Sequence, residues 1–165
     1  MSRARSNIPN RSRLIVEADG GSRGNPGPGG YGALVRDSET GQIRAERADY
    51  LGECTNNVAE YSGLIAGLTA AHELDPHAWV EVRMDAKLVI QQMTGAWKVK
   101  NETLAGLAAQ ARDAHPPRLV SYTWVPRKQN SAADALANQA MDTRKRVHKD
   151  HEAAVGQGQL DLGVV

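Results

Sequence analysis

The sequence contains no phenylalanine, only one cysteine and no long apolar segment. A single cysteine, Cys54, cannot form an intrachain disulfide, which excludes a disulfide framework and favours a reducing compartment. The apolar run nearest the start, residues 14–16, is far too short for a signal peptide or a membrane span. These absences predict a cytoplasmic protein without membrane association, whose 165 residues suffice for one hydrophobic core.

Charge is distributed unevenly, although the formal net charge is only +1. Residues 1–13 carry four arginines and no acid, whereas residues 14–140 contain 12 Lys or Arg against 15 Asp or Glu. Residues 141–165 contain four of each sign and balance. Because proteins that bind nucleic acid are normally basic, the acidic central segment argues against that class unless cations neutralise some of its acids.

The periodicity of apolar residues predicts one α/β domain over residues 13–142. Strands are predicted over 13–18, 31–37, 42–51, 79–84 and 119–125, and helices over 58–71, 86–93, 104–114 and 131–141. The Gly- and Pro-rich stretch 20–30 is predicted to be a loop. Residues 1–12 are interpreted as a flexible basic arm and residues 143–165 as a polar tail or linker. Helical crossovers indicate that the later strands are parallel.

Four acids stand where this pattern brings segments together. Asp19 and Asp85 each follow a predicted strand, whereas Glu60 and Asp134 lie near the starts of predicted helices. Ligands of open α/β sheets bind outside the carboxyl ends of the strands, so the four side chains are expected to converge there. Each acid alone also has an ordinary structural explanation, because Asp and Glu are common in turns and at helix N-termini.

Converging carboxylates repel one another and raise each other's pKa unless a cation lies between them. Oxygen ligands suit Mg²⁺ or Mn²⁺, and no Cys/His spacing in the core suits zinc. Two such ions about 3.5–4 Å apart can activate a water and stabilise a leaving oxygen in phosphodiester hydrolysis. Neutralising the four acids would change the charge of residues 14–140 from −3 to +1, which removes most of the objection to a nucleic-acid substrate.

Two other patterns suggest different chemistry. Residues 27–32 fit the dinucleotide-binding fingerprint, but Pro28 interrupts the motif and a strand follows where the fingerprint requires a helix. His148 and His151 could bind a metal, but no third ligand accompanies them. We therefore reject a dinucleotide site and interpret the two histidines as solvated.

The motifs taken together resemble the type 1 ribonucleases H. The resemblance lies in DGGSRGNPGPGG at 19–30, TNNVAE at 55–60, Met84-Asp85 at the start of a helix, and Asn130 followed by Asp134. It covers residues 13 to about 142. The family implies a ribonuclease H-like α/β fold, a five-stranded mixed sheet flanked by helices. It also implies a set of four acids that binds two Mg²⁺, here Asp19, Glu60, Asp85 and Asp134.

The same resemblance implies an endonuclease that hydrolyses the RNA strand of RNA–DNA hybrids and leaves 3′-OH and 5′-phosphate ends. Mn²⁺ could replace Mg²⁺, and the chain is expected to act as a monomer. The positions that correspond to substrate contacts in the family are Gly20, Gly21, Asn25, Thr55, Asn56, Asn57 and Asn130. Thr55 would grip a phosphate of the DNA strand, and it also has the position of a helix cap.

Two departures from the family pattern concern substrate handling. Many members have a histidine in the loop before the last helix, where this chain has Arg127. Because arginine cannot act as an acid or base near neutral pH, Arg127 would either hold a phosphate or the leaving group, or lie on the solvated surface. The basic helix with which some members grip substrate is reduced here to Trp97, Lys98 and Lys100, which predicts weaker affinity for the hybrid.

Two alternative functions stay open. Integrases, transposases and junction resolvases resemble this fold and use similar metal clusters on DNA, although residues 19–30 and 55–57 favour hybrid cleavage. The third hypothesis is a non-catalytic hybrid-binding module, against which stands the presence of all four acids.

Overall fold

The computed structural model describes residues 11–154, which form a mixed sheet with helices on both faces. The strands are β1 (Arg13–Ser22), β2 (Gly27–Asp37), β3 (Ile43–Cys54), β4 (Trp79–Met84), β5 (Val120–Trp124) and β6 (Val147–Asp150). The helices are α1 (Asn56–Leu74), α2 (Lys87–Met93), α3 (Glu102–Ala114) and α4 (Ser131–Thr143). None of these helices is long and apolar enough to cross a membrane.

The strand order is β5-β4-β1-β2-β3-β6. Strands β1, β2 and β3 form an antiparallel meander, whereas β4 and β5 run parallel to β1, as the helical crossovers predicted. The α/β class and the mixed sheet are therefore confirmed. Because β1, β4 and β5 run in one direction, their carboxyl ends lie along the same rim of the sheet.

The sheet has a sixth strand that the sequence pattern did not reveal. β6 lies within the segment interpreted as a polar tail and pairs antiparallel with β3, with Arg47 opposite His148. The buried Arg47 guanidinium donates to the Lys149 carbonyl at 3.1 Å and pairs with the Asp150 carboxylate at 2.8 Å. A polar strand held by backbone pairing and one arginine has no apolar periodicity, so it could not be detected by that signal.

The prediction of a loop over residues 20–30 is wrong, because β1 continues to Ser22 and β2 begins at Gly27. The glycines serve close packing instead. A Cβ built on Gly20 would overlap the Ala59 carbonyl of α1, and one built on Gly32 would lie 2.5 Å from the Ala133 carbonyl of α4. Glycine within a strand often marks such an approach of another backbone. The glycines of these strands therefore mark the points where a helix backbone contacts the sheet.

The core is built from small and branched side chains on both faces of the sheet. The larger cluster lies beneath α1, α2 and α3 and includes Val16, Leu64, Leu68, Val82 and Met84. The smaller cluster lies beneath α4, which packs on β1, β2 and β3. On that second face the outward side chains of β4 and β5 stay at least partly exposed, and they form an open strip beside α4.

We predict that Gly32→Ala destabilises the protein by about 1–3 kcal/mol, because the added methyl group overpacks a helix–strand contact. The matched control is Gly106→Ala in α3, where a Cβ meets nothing within 4 Å. Alanine there should stabilise the helix by about 0.5–1 kcal/mol. Urea unfolding followed by circular dichroism measures both changes, and equal effects at the two positions would contradict the packing argument.

Candidate active site

The structure brings the four predicted acids to one cleft of about 380 Å³. The side chains and backbone groups that line it are Asp19, Gly20, Gly21, Ser22, Arg23, Asn56, Glu60, Asp85, Arg127, Asp134, Ala137, Asn138 and Met141. The acids come from β1, from α1, from the residue after β4 and from the first turn of α4. Four separate segments of the chain thus contribute one carboxylate each.

Backbone geometry explains this convergence. Glu17 pairs with Arg83 across the parallel strands β1 and β4, so Asp19 and Asp85 follow at the same level, two residues further along each strand. The contact between Gly20 and the α1 backbone places Glu60 of α1 at the cleft. Asp134 approaches from the other face of the sheet, where α4 packs on Gly32.

Burial and repulsion between carboxylates shift two of the acids, Asp19 and Glu60, toward their protonated forms. The pKa of Asp19 is raised from 3.8 to about 8, first by burial and then by a hydrogen bond with Asp134 and the charge of Asp85. The pKa of Glu60 is raised from 4.5 to about 7, again mainly by burial and then by Asp85. Without cations, this cleft therefore retains protons near neutral pH.

The donor set fits hard divalent cations that arrive with part of their own coordination shell. Within residues 11–154 no three His, Cys, Asp or Glu side chains form a preassembled metal site. Mg²⁺, however, usually binds one or two protein carboxylates and completes its shell with waters and substrate phosphates. Four carboxylates along one cleft provide such partial ligand sets. Asp19 lies close enough to Asp85 and Asp134 for both to raise its pKa.

Asn130 lies behind the cleft, where its side chain is only 1% exposed. Its amide Nδ2 donates to the Ala18 carbonyl at 2.9 Å and to Asp85 Oδ1 at 2.8 Å. Its Oδ1 has no hydrogen-bond partner among residues 11–154. The side chain is thus buried behind the cleft, and its predicted substrate contact stays a prediction. The geometry makes Asn130 a support for the Asp85 carboxylate.

The predicted substrate-contact residues around the β1–β2 turn are linked to one another. Asn56 Oδ1 accepts hydrogen bonds from the Ser22 backbone N at 2.9 Å and from Ser22 Oγ at 3.1 Å. Asn25 Oδ1 accepts from the Asn56 backbone N at 3.1 Å. Gly20 and Gly21 border the cleft directly, and Asn57 is partly exposed in the first turn of α1. The turn and the start of α1 therefore form one hydrogen-bonded unit.

Thr55 is the N-cap of α1, and its Oγ1 accepts from the Val58 backbone N at 3.3 Å. The structural reading of Thr55 is confirmed, which leaves its predicted phosphate contact as a separate hypothesis. The helix begins at Asn56, so the spacing between Asn57 and Glu60 does not form the capping box that it resembles.

Several residues that line the cleft were not predicted from the sequence. Asn138 Nδ2 donates to Asp134 Oδ2 at 3.2 Å, and its i+4 spacing on the same helix is the signal that could have revealed it. Arg23 pairs with Asp142 at 2.6 Å at one end of the cleft. Arg127 lines the same cleft from a short 3₁₀ turn, which places the residue that replaces the family's histidine at the site.

Comparisons with known proteins agree with this architecture. Residues 17–140 match the family described as Reverse transcriptase-like. The Bifunctional protein Rv2228c of Mycobacterium tuberculosis is 52% identical over 131 residues, which are 79% of this chain but only 36% of that protein. The Ribonuclease H of Hydrogenovibrio crunogenus is 37% identical over 139 residues, which cover 75% of this chain and 92% of that protein.

Solved structures define the fold class first. The N-terminal RNase H domain of Rv2228c superposes with a TM-score of 0.76 at 50% identity, covering 81% of this chain and 96% of that one. LC11-RNase H1, solved in complex with an RNA/DNA hybrid, gives a TM-score of 0.73 at 38% identity, covering 79% and 98%. The fold is ribonuclease H-like. The chain belongs to the type 1 ribonuclease H family.

We predict that Asp19→Asn stabilises the metal-free protein at alkaline pH. Because the pKa of Asp19 rises from 3.8 to about 8 on folding, the folded protein binds more protons than the unfolded chain between these values. The stability of the original protein should therefore fall as pH rises through this window, and the loss is complete above it. Asparagine removes the effect, so the variant should be more stable by on the order of 2 kcal/mol at about pH 9.

Urea unfolding in EDTA at several pH values measures this difference. Glu39→Gln, in the exposed turn between β2 and β3, is the control and should follow the original pH profile. Parallel pH profiles of stability for Asp19→Asn and the original protein would show that Asp19 is not the carboxylate whose pKa is raised on folding.

Proposed function

We propose that this chain is a metal-dependent endonuclease that hydrolyses the RNA strand of RNA–DNA hybrids, leaving 3′-OH and 5′-phosphate ends. The observation that carries the proposal is the convergence of Asp19, Glu60, Asp85 and Asp134 on one cleft. The raised proton affinity of Asp19 and Glu60 supports it, because such an arrangement becomes favourable when cations occupy the cleft. A monomeric state and a cytoplasmic location belong to the same proposal.

The acids act as ligands in this scheme, and none needs to be a nucleophile. Two Mg²⁺, or Mn²⁺ in their place, would supply activation of the attacking water and stabilisation of the departing 3′ oxygen. Asp19 must release its proton when it becomes a ligand, so cation binding releases protons from the cleft. Asn130 donates to Asp85 Oδ1 and thereby fixes the direction in which that carboxylate presents its other oxygen.

Recognition of the hybrid rests on the unit formed by the β1–β2 turn and the start of α1. A Cβ on Gly21 would meet only Asn56 Oδ1 at 3.8 Å, so a nucleic-acid strand can approach the β1 backbone closely at this glycine, and Gly20 offers backbone groups beside it. Contacts with Ser22 use the Asn56 Oδ1 atom, which leaves the Asn56 amide NH₂ to donate to a substrate oxygen. A donor directed at a 2′-OH distinguishes RNA from DNA, and Asn25, Thr55 and Asn57 extend the same surface.

Arg127 is proposed to bind a phosphate next to the cleft. It brings a permanent positive charge to a site with four acids, and its side chain cannot exchange a proton near neutral pH. If Arg127 binds a phosphate, Arg127→Lys should retain more activity than Arg127→Ala. If the position instead takes part in acid–base chemistry, activity would require histidine there. Steady-state kinetics of Arg127→Ala, Arg127→Lys and Arg127→His test this, and full activity in Arg127→Ala would assign the residue to the solvated surface.

The substrate class is tested with three end-labelled duplexes of the same sequence: RNA–DNA hybrid, duplex DNA and duplex RNA. We expect cleavage of the RNA strand in the hybrid alone, with Mg²⁺ or Mn²⁺ and not with EDTA. Cleavage of duplex DNA would instead favour a nuclease of the resolvase type. Hybrid binding with no cleavage under either ion would favour a binding module.

Asp85→Asn should reduce hybrid cleavage by at least about a thousandfold while hybrid binding stays within about threefold, because it removes a metal ligand but little binding surface. Gel mobility shifts and single-turnover cleavage measure the two quantities separately. Glu39→Gln is again the matched control and should change neither. Retained cleavage in Asp85→Asn would remove that residue from the metal-binding set.

A further inference from the structure

A second cavity, of about 460 Å³, lies at the opposite end of the sheet from the acidic cleft. It is bordered by the starts of β1, β4 and β5, where Arg13 is paired with Trp79 across the parallel strands. Trp79 is 44% exposed, and the Arg11 guanidinium lies over its ring, 5.4 Å from the ring centroid. Arg118 borders the same cavity from the turn before β5. An exposed indole among arginines is not explained by packing.

The charges around this cavity favour an anionic ligand. Arg11, Arg13 and Arg118 form no salt bridge within the part of the chain that the structure describes, and Arg13 and Arg118 are exposed. The acid in the lining, Glu81, is already paired with Arg83 at 3.0 Å and accepts a hydrogen bond from Thr123 at 2.8 Å. The cavity lining itself therefore carries two arginines without a salt bridge within residues 11–154, Arg13 and Arg118, and its acid is already paired.

We propose that Trp79 with Arg11, Arg13 and Arg118 forms a second nucleic-acid site, which binds a single strand by base stacking on the indole and by phosphate contacts to the arginines. Aromatic rings bordered by cations bind single strands in this way, because every base offers a π face. Major-groove or minor-groove readout of a duplex would instead need an inserted element, and this rim presents only a concave surface.

The open strip of the sheet connects the two sites. Along the face beside α4, the side-chain rows run from Arg13 and Trp79, through Ile15 and Glu81, to Glu17 and Arg83, and the next residues in this sequence are Asp19 and Asp85. Six strand residues separate the two ends, a distance of roughly 20 Å. The acids of the strip are neutralised, since Glu17 pairs with Arg36 and Glu81 with Arg83. A strand that leaves the cleft can therefore reach Trp79 without crossing uncompensated negative charge.

The test uses anisotropy of labelled nucleic acids with the full chain carrying Asp85→Asn, so that no probe is cleaved. A hybrid with a ten-nucleotide single-stranded extension should bind about tenfold more tightly than the blunt hybrid, and Trp79→Ala should abolish that gain while leaving blunt-hybrid binding unchanged. A two-nucleotide extension should give no gain, because it is too short to span the roughly 20 Å between the cleft and Trp79. Trp79→Phe should retain most of the gain and serves as the folding control.

Charge is tested separately. Arg13→Ala with Arg118→Ala should reduce the dependence of the logarithm of oligo(dT) affinity on the logarithm of salt concentration by roughly 1.4, that is, two phosphate contacts. Arg112→Ala with Lys149→Ala removes two exposed charges elsewhere and should leave this slope unchanged. The proposal would be overturned if the single-stranded extension increased affinity as much in Trp79→Ala as with Trp79 present. It would also be overturned if both double variants reduced the salt-dependence slope equally.

A protein whose only tryptophan is Trp79, made by Trp97→Phe and Trp124→Phe, gives a readout that does not depend on hybrid cleavage. Its fluorescence should be quenched saturably by oligo(dT), even if the proposed nuclease activity fails. Trp79 fluorescence could instead decrease as protein concentration rises in the absence of nucleic acid, with a dimer detected by light scattering. That result would assign the surface to a second copy of the chain and reject the single-strand site.

Discussion

The close approach of two helices to glycine-containing strands is the constraint on which the rest of this structure depends. A Cβ on Gly63 of α1 would lie 2.6 Å from the Asp19 carbonyl, and one on Gly32 would be equally close to α4. These contacts leave no room for side chains between helix and strand. They fix the positions from which Glu60 and Asp134 reach the cleft, from opposite faces of the sheet. The arrangement of the four acids is thus fixed by backbone contact, which is stiffer than contact through flexible side chains.

This rigidity has an energetic cost that appears in the proton affinities of the acids. Flexible carboxylates would move apart to relieve their repulsion, but Asp19 and Glu60 are held partly buried and retain protons instead. Such local destabilisation is common where function requires an unfavourable charge arrangement. The core contains no phenylalanine, and its largest fully buried side chain, Tyr61, donates a hydrogen bond to Gln92 Oε1 at 2.6 Å.

Most of the fold could be predicted from the sequence, because apolar periodicity reports burial and the buried segments are long. The hairpin between β2 and β3, the helix α1 and the strand β4 were predicted in this way. Two elements could not be. The extension of β1 and β2 consists of glycines whose purpose becomes visible only when the partner helix is in place, and β6 is a polar strand whose stability depends on Arg47 of a distant segment. Both depend on tertiary contacts that local patterns do not record.

The same limit applies to the cleft. The convergence of the four acids followed from strand ends and helix starts, which are local signals. The buried side of the cleft was different, since the resemblance did not reveal that the Asn130 amide contacts Ala18 and Asp85. Spacing along a chain shows that a polar residue lies near a site, but only the packing around it shows whether it faces the ligand or supports a neighbour.

Charge then orders the events in the proposed reaction. A cleft with four acids repels a polyanion, so a nucleic acid gains little from entering it unless cations are bound there. Conversely, cations bound by one or two carboxylates each need further oxygen ligands, which phosphates supply. Each ligand therefore raises the affinity for the other, and by thermodynamic linkage the two effects must be equal in size. The acidic central segment is unsuited to nucleic acid when its charges are merely counted, but in the proposed reaction it would be the means by which cation and substrate are bound together.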